Sequence, residues 1–210
     1  MENFLVLVDI GNSRFHIFKN GEIIHSLKPL KLDGDVFYIS VNEKREKEFL
    51  ALNPKAINLA KFVKFDTSYK GLGIDRIMAC KSVESGVVVD AGSAITIDVM
   101  DNFRHLGGII MPGLRAFREA FAKISPKLDM EFTKIDLLTL PTSTKEAISY
   151  GSIGAVVRVI ESLDDKKIYL TGGDGKFLQE YVGGEFIEDL VFRGMIKTIK
   201  EEYENSFAKR

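Results

Sequence analysis

Asp9 and Asp90 each close a short apolar run, and each has a glycine two residues later. The segments are Val6-Leu7-Val8-Asp9-Ile10-Gly11-Asn12-Ser13 and Val87-Val88-Val89-Asp90-Ala91-Gly92-Ser93. A glycine lacks Cβ, so backbone N–H groups around Gly11 and Gly92 can approach an anion closely. Asn12, Ser13 and Ser93 add hydrogen-bonding side chains at the same tips. A carboxylate beside a phosphate is repulsive unless a cation stands between them. Such turns therefore suit a nucleotide polyphosphate carried with a divalent cation. One turn of this kind reads equally well as an ordinary hairpin; the recurrence carries the argument.

A third segment, Gly73-Ile74-Asp75-Arg76, sets an acid beside a guanidinium after a Gly-rich turn, ahead of a helix predicted over 77–83. It reads either as a capping aspartate with a surface ion pair, or as Asp75 accepting a proton while Arg76 holds an anionic substrate group. An unperturbed carboxylate is a weak base, so in the second reading Asp75 acts late, as the transferred phosphoryl departs. Gly172-Gly173, following a strand expected over 167–171, would let a flat ring such as adenine lie against backbone. Two other phosphate signatures fail. Gly175-Lys176 is followed by Phe177, which lacks the hydroxyl of a P-loop, and Gly71-Leu72-Gly73-Ile74-Asp75-Arg76 lacks the last glycine of a dinucleotide fingerprint. His105 and Cys80 read as structural.

The elements that would position these residues follow from hydrophobic period and turn residues. Strands are predicted over 4–10, 14–19 and 22–27, the last two joined at Asn20-Gly21, a strong hairpin signal. Further strands are expected over 36–40 and 57–65, and a charged helix over 43–52. Strand, Asp-x-Gly turn, strand, turn and strand recur over 87–90, 94–100 and 103–111. Helices are expected over 114–124 (Phe117, Phe121 and Ile124 as a core or interface stripe), from Ser143 to about 163, after Gly173, and over 190–203. Thr144 reads as a helix cap or as a hydroxyl facing a ligand. The repeat predicts two similar α/β halves, 1–85 and 86–210.

Composition bounds the rest. The chain has 210 residues, 45% hydrophobic and 28% charged, with 29 Lys plus Arg against 30 Asp plus Glu. That balance supports a folded core, and the near-neutral charge offers no global reason to bind nucleic acid or an anionic membrane. One cysteine and three scattered histidines argue against disulfides and a zinc cluster, leaving hard cations held by carboxylates and phosphates. No apolar run approaches the ~20 residues of a membrane helix. The start Met1-Glu2-Asn3-Phe4 lacks a cationic signal segment, so a soluble, cytoplasmic protein is expected.

Taken in order, the motifs resemble those of the type III pantothenate kinases, within the acetate and sugar kinase, Hsp70 and actin superfamily. Asp9-Ile10-Gly11-Asn12-Ser13 and Asp90-Ala91-Gly92-Ser93-Ala94 resemble the family's two phosphate motifs, with Ser13 and Ser93 where threonine is usual. Gly73-Ile74-Asp75-Arg76 resembles its Gly-x-Asp-Arg substrate motif. Gly107-Gly108 to Pro112-Gly113, Thr144 to Ile148 and Thr171-Gly172-Gly173 resemble three further stretches. The resemblance implies a duplicated ribonuclease-H-like, actin-like α/β fold with a nucleotide cleft between its halves. It implies ATP-dependent phosphorylation of pantothenate at the start of coenzyme A synthesis, with Asp75 as proton acceptor. Gly73, Ile74, Asp75, Arg76, Thr144 and Tyr69 would contact substrate, although Tyr69 stands nearer to Gly73 than the family's tyrosine does. Asp9, Ile10, Gly11, Asn12, Ser13, Arg14, Phe15 and His16 would hold ATP and magnesium, together with Gly92, Ser93, Gly172 and Gly173. Asp9 would serve the magnesium, and Asp90 would bind potassium or ammonium. A homodimer is implied. Two alternatives stay open at this level: a catalytically idle ATP-binding regulator on the same scaffold, and a kinase of another small hydroxyl acid.

Overall fold

The computed structural model describes residues 5–163 and 166–203. Their contacts form two compact units. The first holds residues 5–84, 101–106 and 189–203; the second holds 85–100, 107–163 and 166–188. A single division at 85/86, as the motif repeat suggests, leaves the turn at 101–106 and the closing segment on the far side of the cut, yet both pack with the first unit.

In the first unit, β1 (Leu5–Ile10), β2 (Phe15–Lys19) and β3 (Glu22–Ser26) run as an antiparallel meander. β4 (Asp35–Ser40) joins β1 in parallel, giving the order β3-β2-β1-β4-β5 once β5 (Ile57–Asn58) is added. Asn20 and Gly21 both take positive φ (53° and 83°), which is what the two-residue hairpin turn demands. β1 is central, and its Val6, Leu7, Val8 and Ile10 are wholly shielded, as expected of an apolar strand covered on both faces. α1 (Glu43–Leu52) starts where the Asn42 side chain accepts from the Arg45 N–H, and it delivers Phe49 to Phe15 and Tyr38 in the core. The strand expected over 57–65 is cut short. Asn58 accepts from the Ala60 N–H and turns the chain into a 3-10 turn at Leu59–Lys61. α2 (Ile74–Lys81) begins three residues before the expected start, which places Asp75 inside its first turn.

The second unit opens with β6 (Gly86–Ala91), β7 (Ala94–Asp101) and β8 (Arg104–Pro112), whose Asn102 and Phe103 turn is grouped with the first unit. α3 (Leu114–Ile124), α4 (Thr144–Glu161), β9 (Ile168–Thr171), α5 (Gly175–Val182) and β10 (Glu185–Phe186) follow. Its sheet order, β8-β7-β6-β9-β10, matches that of the first unit strand for strand. In both sheets the opening strand is central, with an antiparallel partner on one side and a parallel one on the other. The duplication expected from two short turns thus extends to whole sheets. The core here is Val87, Val89, Ile95 and Ile97 from the sheet against Ile153, Val156, Val157 and Ile160 of α4.

The chain ends in the first unit with α6 (Leu190–Thr198), which continues as a π-helical turn at Ile199–Tyr203 instead of the single long α-helix expected. α6 lies tightly against α2. A Cβ built on Gly194 would sit 1.9 Å from the Met78 carbonyl oxygen, so only glycine permits this crossing. The Thr198 hydroxyl donates to the Gly194 carbonyl at 2.9 Å, and Met78 Sδ lies 3.5 Å from the Thr198 hydroxyl oxygen. No helix among the described residues is long and apolar enough to cross a membrane.

Candidate active site

The first turn leaves β1 at Ile10 and enters β2 at Phe15, with Asp9 opposite His16 in the ladder. The Gly11 N–H donates to the Arg14 carbonyl at 3.0 Å, closing the loop so that Asn12, Ser13 and Arg14 are exposed at its tip. Asn12 is held from below, its Oδ1 accepting from Asn42 Nδ2 at 3.1 Å. Asp9 is half-buried, and its Oδ1 is shielded from solvent. Ile10 and Phe15 have no exposed surface, so they can meet a ligand only through their main chain. Phe15 also carries the Arg45 guanidinium over its ring, 4.3 Å from the centroid. His16 is half-buried, and its pKa is lowered to about 4 by burial first, then by the neighbouring His25 and by Arg14.

The second turn is tighter. β6 ends at Ala91 and β7 starts at Ala94, with the Gly92 N–H donating to the Ala94 carbonyl at 3.0 Å. Asp90 lies opposite Thr96 on one side and Thr171 on the other. Two glycines from distant segments crowd this strand end. A Cβ on Gly172 (φ +83°) would fall 2.5 Å from Asp90 Oδ1 and 2.6 Å from the Ala91 carbonyl oxygen. A Cβ on Gly113 would fall 2.3 Å from the Gly92 carbonyl oxygen and 2.6 Å from that of Ser93. The Asp174 N–H then donates to the Ala91 carbonyl at 2.9 Å. Asp90, Gly92, Ser93, Gly172 and Gly173 are therefore brought to one place, around a carboxylate framed by backbone. Asp174 was not singled out by the sequence; it is half-buried there, and burial raises its carboxyl pKa. Its position directly after Gly172-Gly173 was the available signal.

Carboxylates backed by close-packed main chain are hard oxygen donors, and they fit a magnesium or potassium ion in chemistry. Among the described residues no group of three or more His, Cys, Asp or Glu could hold a metal by itself. That suits an ion held partly by phosphate oxygens and water.

The acid–guanidinium pair sits at the N-terminus of α2. Gly73 occupies the cap position without a side-chain cap, and a Cβ there would fall 2.5 Å from Asp75 Oδ1. That same oxygen accepts from the Arg76 N–H at 2.8 Å. Asp75 and Ile74 are half-buried, and the helix dipole favours the charged form of a carboxylate in this first turn. Arg76 is 5% exposed, which excludes the reading of an idle surface pair. Its guanidinium lies 4.9 Å from the Tyr69 ring centroid, and Tyr69 packs edge-on against buried His105 with centroids 5.9 Å apart. The Thr67 hydroxyl meets His105 Nδ1 at 2.8 Å and accepts from the Tyr69 N–H at 3.0 Å. Tyr69 is thus placed beside Arg76 despite its unusual spacing. His105, read as structural from the sequence, is the block on which that tyrosine rests.

Thr144 is the first residue of α4, and the cap is Ser143. The Ser143 hydroxyl accepts from the Glu146 N–H at 3.3 Å, and Glu146 Oε2 accepts from the Thr142 N–H at 3.2 Å. A hydrogen bond from the Ser143 side chain to the Glu146 carboxyl, and then the Thr142 N–H, lower the Glu146 pKa. The capping reading of Thr144 therefore gives way, and its side chain stands exposed at the helix entrance.

The family model of type III pantothenate kinase matches residues 42–166. A type III pantothenate kinase from Wolinella succinogenes is 45% identical over 205 residues, spanning 94% of this chain and 97% of its own. One from Helicobacter pylori is 46% identical over 204 residues, spanning 94% and 92%. Among solved structures, a Campylobacter jejuni protein proposed as a Baf family transcriptional activator superposes with a TM-score of 0.82 at 42% identity, covering 93% of this chain and 98% of that one. MreB 5 of Spiroplasma citri, bound to AMPPNP, superposes with a TM-score of 0.50 at 10% identity, covering 98% and 99%; the likeness is one of fold alone.

Proposed function

The chain belongs to the type III pantothenate kinase family, and from that premise we propose how its residues divide the work of phosphorylating pantothenate. The fold is the duplicated ribonuclease-H-like architecture of actin-like ATPases and sugar kinases. The activity is ATP-dependent transfer of a phosphoryl group to pantothenate, the first step of coenzyme A biosynthesis, with ATP and a divalent metal as the implied cofactors.

Phosphoryl transfer asks the protein chiefly for positioning and charge stabilisation. Asp9 and the loop Gly11 to His16 hold ATP phosphates, with Ile10 and Phe15 contributing main chain alone. Gly92 and Ser93 hold phosphate from the second turn, and Gly172-Gly173 seats the adenosine. Asp9 serves the magnesium, which when bound offsets the charge of the phosphates. Asp90, framed by backbone carbonyls, takes a monovalent cation, potassium or ammonium. Arg76 pairs with the pantothenate carboxylate, and Tyr69 stacked beneath it keeps the guanidinium directed. Gly73, Ile74 and Thr144 complete the substrate contacts. Asp75 accepts the proton of the attacking hydroxyl as the bond to phosphorus forms. The observation that carries this reading is the near-complete burial of Arg76 over Tyr69, next to a carboxylate in the first turn of α2. A regulator that only bound ATP would have no use for it.

A homodimer is part of the proposal. Ile110, Ile124, Leu138 and Leu140 of the second unit are 58%, 72%, 95% and 83% exposed, an unusual load of large apolar side chains for solvent. The cytoplasm, where ATP and potassium are abundant, is the proposed location. The deciding experiment is ADP release followed by a coupled assay with ATP, magnesium and potassium, with and without pantothenate. Release that requires pantothenate is expected; release indifferent to it would overturn the kinase assignment.

A further inference from the structure

His16 on β2 and His25 on β3 are ladder partners, and their Nδ1 atoms lie 2.8 Å apart with the rings edge-on at 79°. β3 is the edge strand of its sheet, and His25 is exposed, so solvent reaches the pair. As neutral imidazoles, one ring donates its Nδ1 proton to the other. We propose that His16 and His25 form a two-imidazole site for a borderline divalent transition metal such as Zn²⁺. Two Zn–N bonds of about 2.0–2.1 Å meeting at a near-tetrahedral or square angle hold their nitrogens roughly 2.9–3.4 Å apart. For a tetrahedral ion the observed pair must open by about 0.5 Å, and each ring must turn so that both lone pairs meet at the metal. On binding, the proton on the donating Nδ1 leaves to solvent and Nε2 of that ring takes one up. Both rings stay neutral, and both Nδ1 lone pairs go to the metal, with water in the remaining positions. Among the described residues no third His, Cys, Asp or Glu completes the group, and Arg14 places a positive charge nearby. The site is therefore weaker than a structural zinc centre and exchangeable.

The chain has three histidines, and the third, His105, is buried against Thr67, so background binding by imidazole is low. The test is Zn²⁺ titrated calorimetrically into the tag-free, chelator-treated full chain without nucleotide, against His25→Gln. About one Zn²⁺ per wild-type chain is expected, with affinity at least tenfold weaker in the variant. Long-range ¹H–¹⁵N spectra of the rings should show both protons on Nε2 in the zinc form. His25→Gln should keep wild-type turnover with pantothenate and Mg·ATP, which certifies its fold. No uptake by the wild type, or uptake unchanged by His25→Gln, overturns the proposal. Because binding is read without nucleotide, that result stands apart from the assignment of His16 to ATP.

Discussion

Replacing Gly194 with alanine would put a Cβ 1.9 Å from the Met78 carbonyl oxygen and 2.7 Å from its carbonyl carbon. Ordinary contact begins near 3.4 Å, so the α2–α6 crossing must open from 1.9 to 3.4 Å, a shift of about 1.5 Å. The nearest neighbours are backbone atoms, so no flexible side chain can yield instead. Overpacking of this kind costs roughly 1–3 kcal/mol. In a chain of this size that corresponds to a Tm lower by about 2–12 °C. The larger effect should be catalytic, because α2 carries Ile74, Asp75 and Arg76 within about one turn of Met78. A misplacement of about 1 Å can cost ~10²-fold in rate, so kcat/KM for pantothenate should fall by about that factor. KM for ATP should change little, since the turns at Gly11 and Gly92 are built from other elements. The assay is steady-state ADP release with each substrate varied in turn, alongside a thermal melt. Wild-type kcat and KM for pantothenate, with a melt that nonetheless shows the strain, would refute the argument that α6 sets the position of the substrate helix.

Asp75→Asn should lower kcat by about 10²–10⁴ while ATP still binds, the range for loss of a general base; retention of near-normal turnover removes Asp75 from the chemistry. Gly172→Ala, whose Cβ would meet Asp90 Oδ1 at 2.5 Å, should raise the potassium concentration needed for half-maximal activation, read by titrating potassium chloride at constant ionic strength. Lys81 is 8% exposed and its Nζ lies 2.9 Å from Glu202 Oε1, a carboxylate whose side chain is 10% exposed. Lys81→Met strands that carboxylate and should cost about 3 kcal/mol in denaturant unfolding, with part recovered on adding Glu202→Gln. His16 has a folded-state pKa of about 4 against an ordinary histidine value of 6.5. The unfolded chain binds this proton first, so the stability is fully present above pH 6.5 and is lost as the pH falls towards 4. The loss reaches at most about 3 kcal/mol. Unfolding free energies of His16→Gln between those values should lack this slope.

The motifs proposed to carry chemistry were legible because they are local. Gly11, Gly73 and Gly92 act within a few residues of the aspartates they serve, so spacing alone exposed them. Hydrophobic period gave β1, β6 and α3 nearly to the residue, and charged, helix-favouring composition gave α1. Strand 57–65 failed because one polar side chain, Asn58, competes for the backbone, and apolar period is blind to that. The capping role of Thr144 went to its neighbour Ser143 for a similar reason: either hydroxyl suits the pattern, and only the backbone angles choose.

What the sequence by itself determined is the duplication, the two Asp-x-Gly turns and the placing of an acid beside a guanidinium, all written as residue type and short spacing. Tertiary structure decided the rest. It placed Tyr69 over Arg76 on a block made of His105 and Thr67, laid Gly113 and Gly172 against the Asp90 strand and seated Gly194 on Met78. Each of these joins residues on different elements. Their contact depends on how whole sheets and helices stack under the demand to bury apolar surface, a condition set by the entire chain at once and not by any stretch of it.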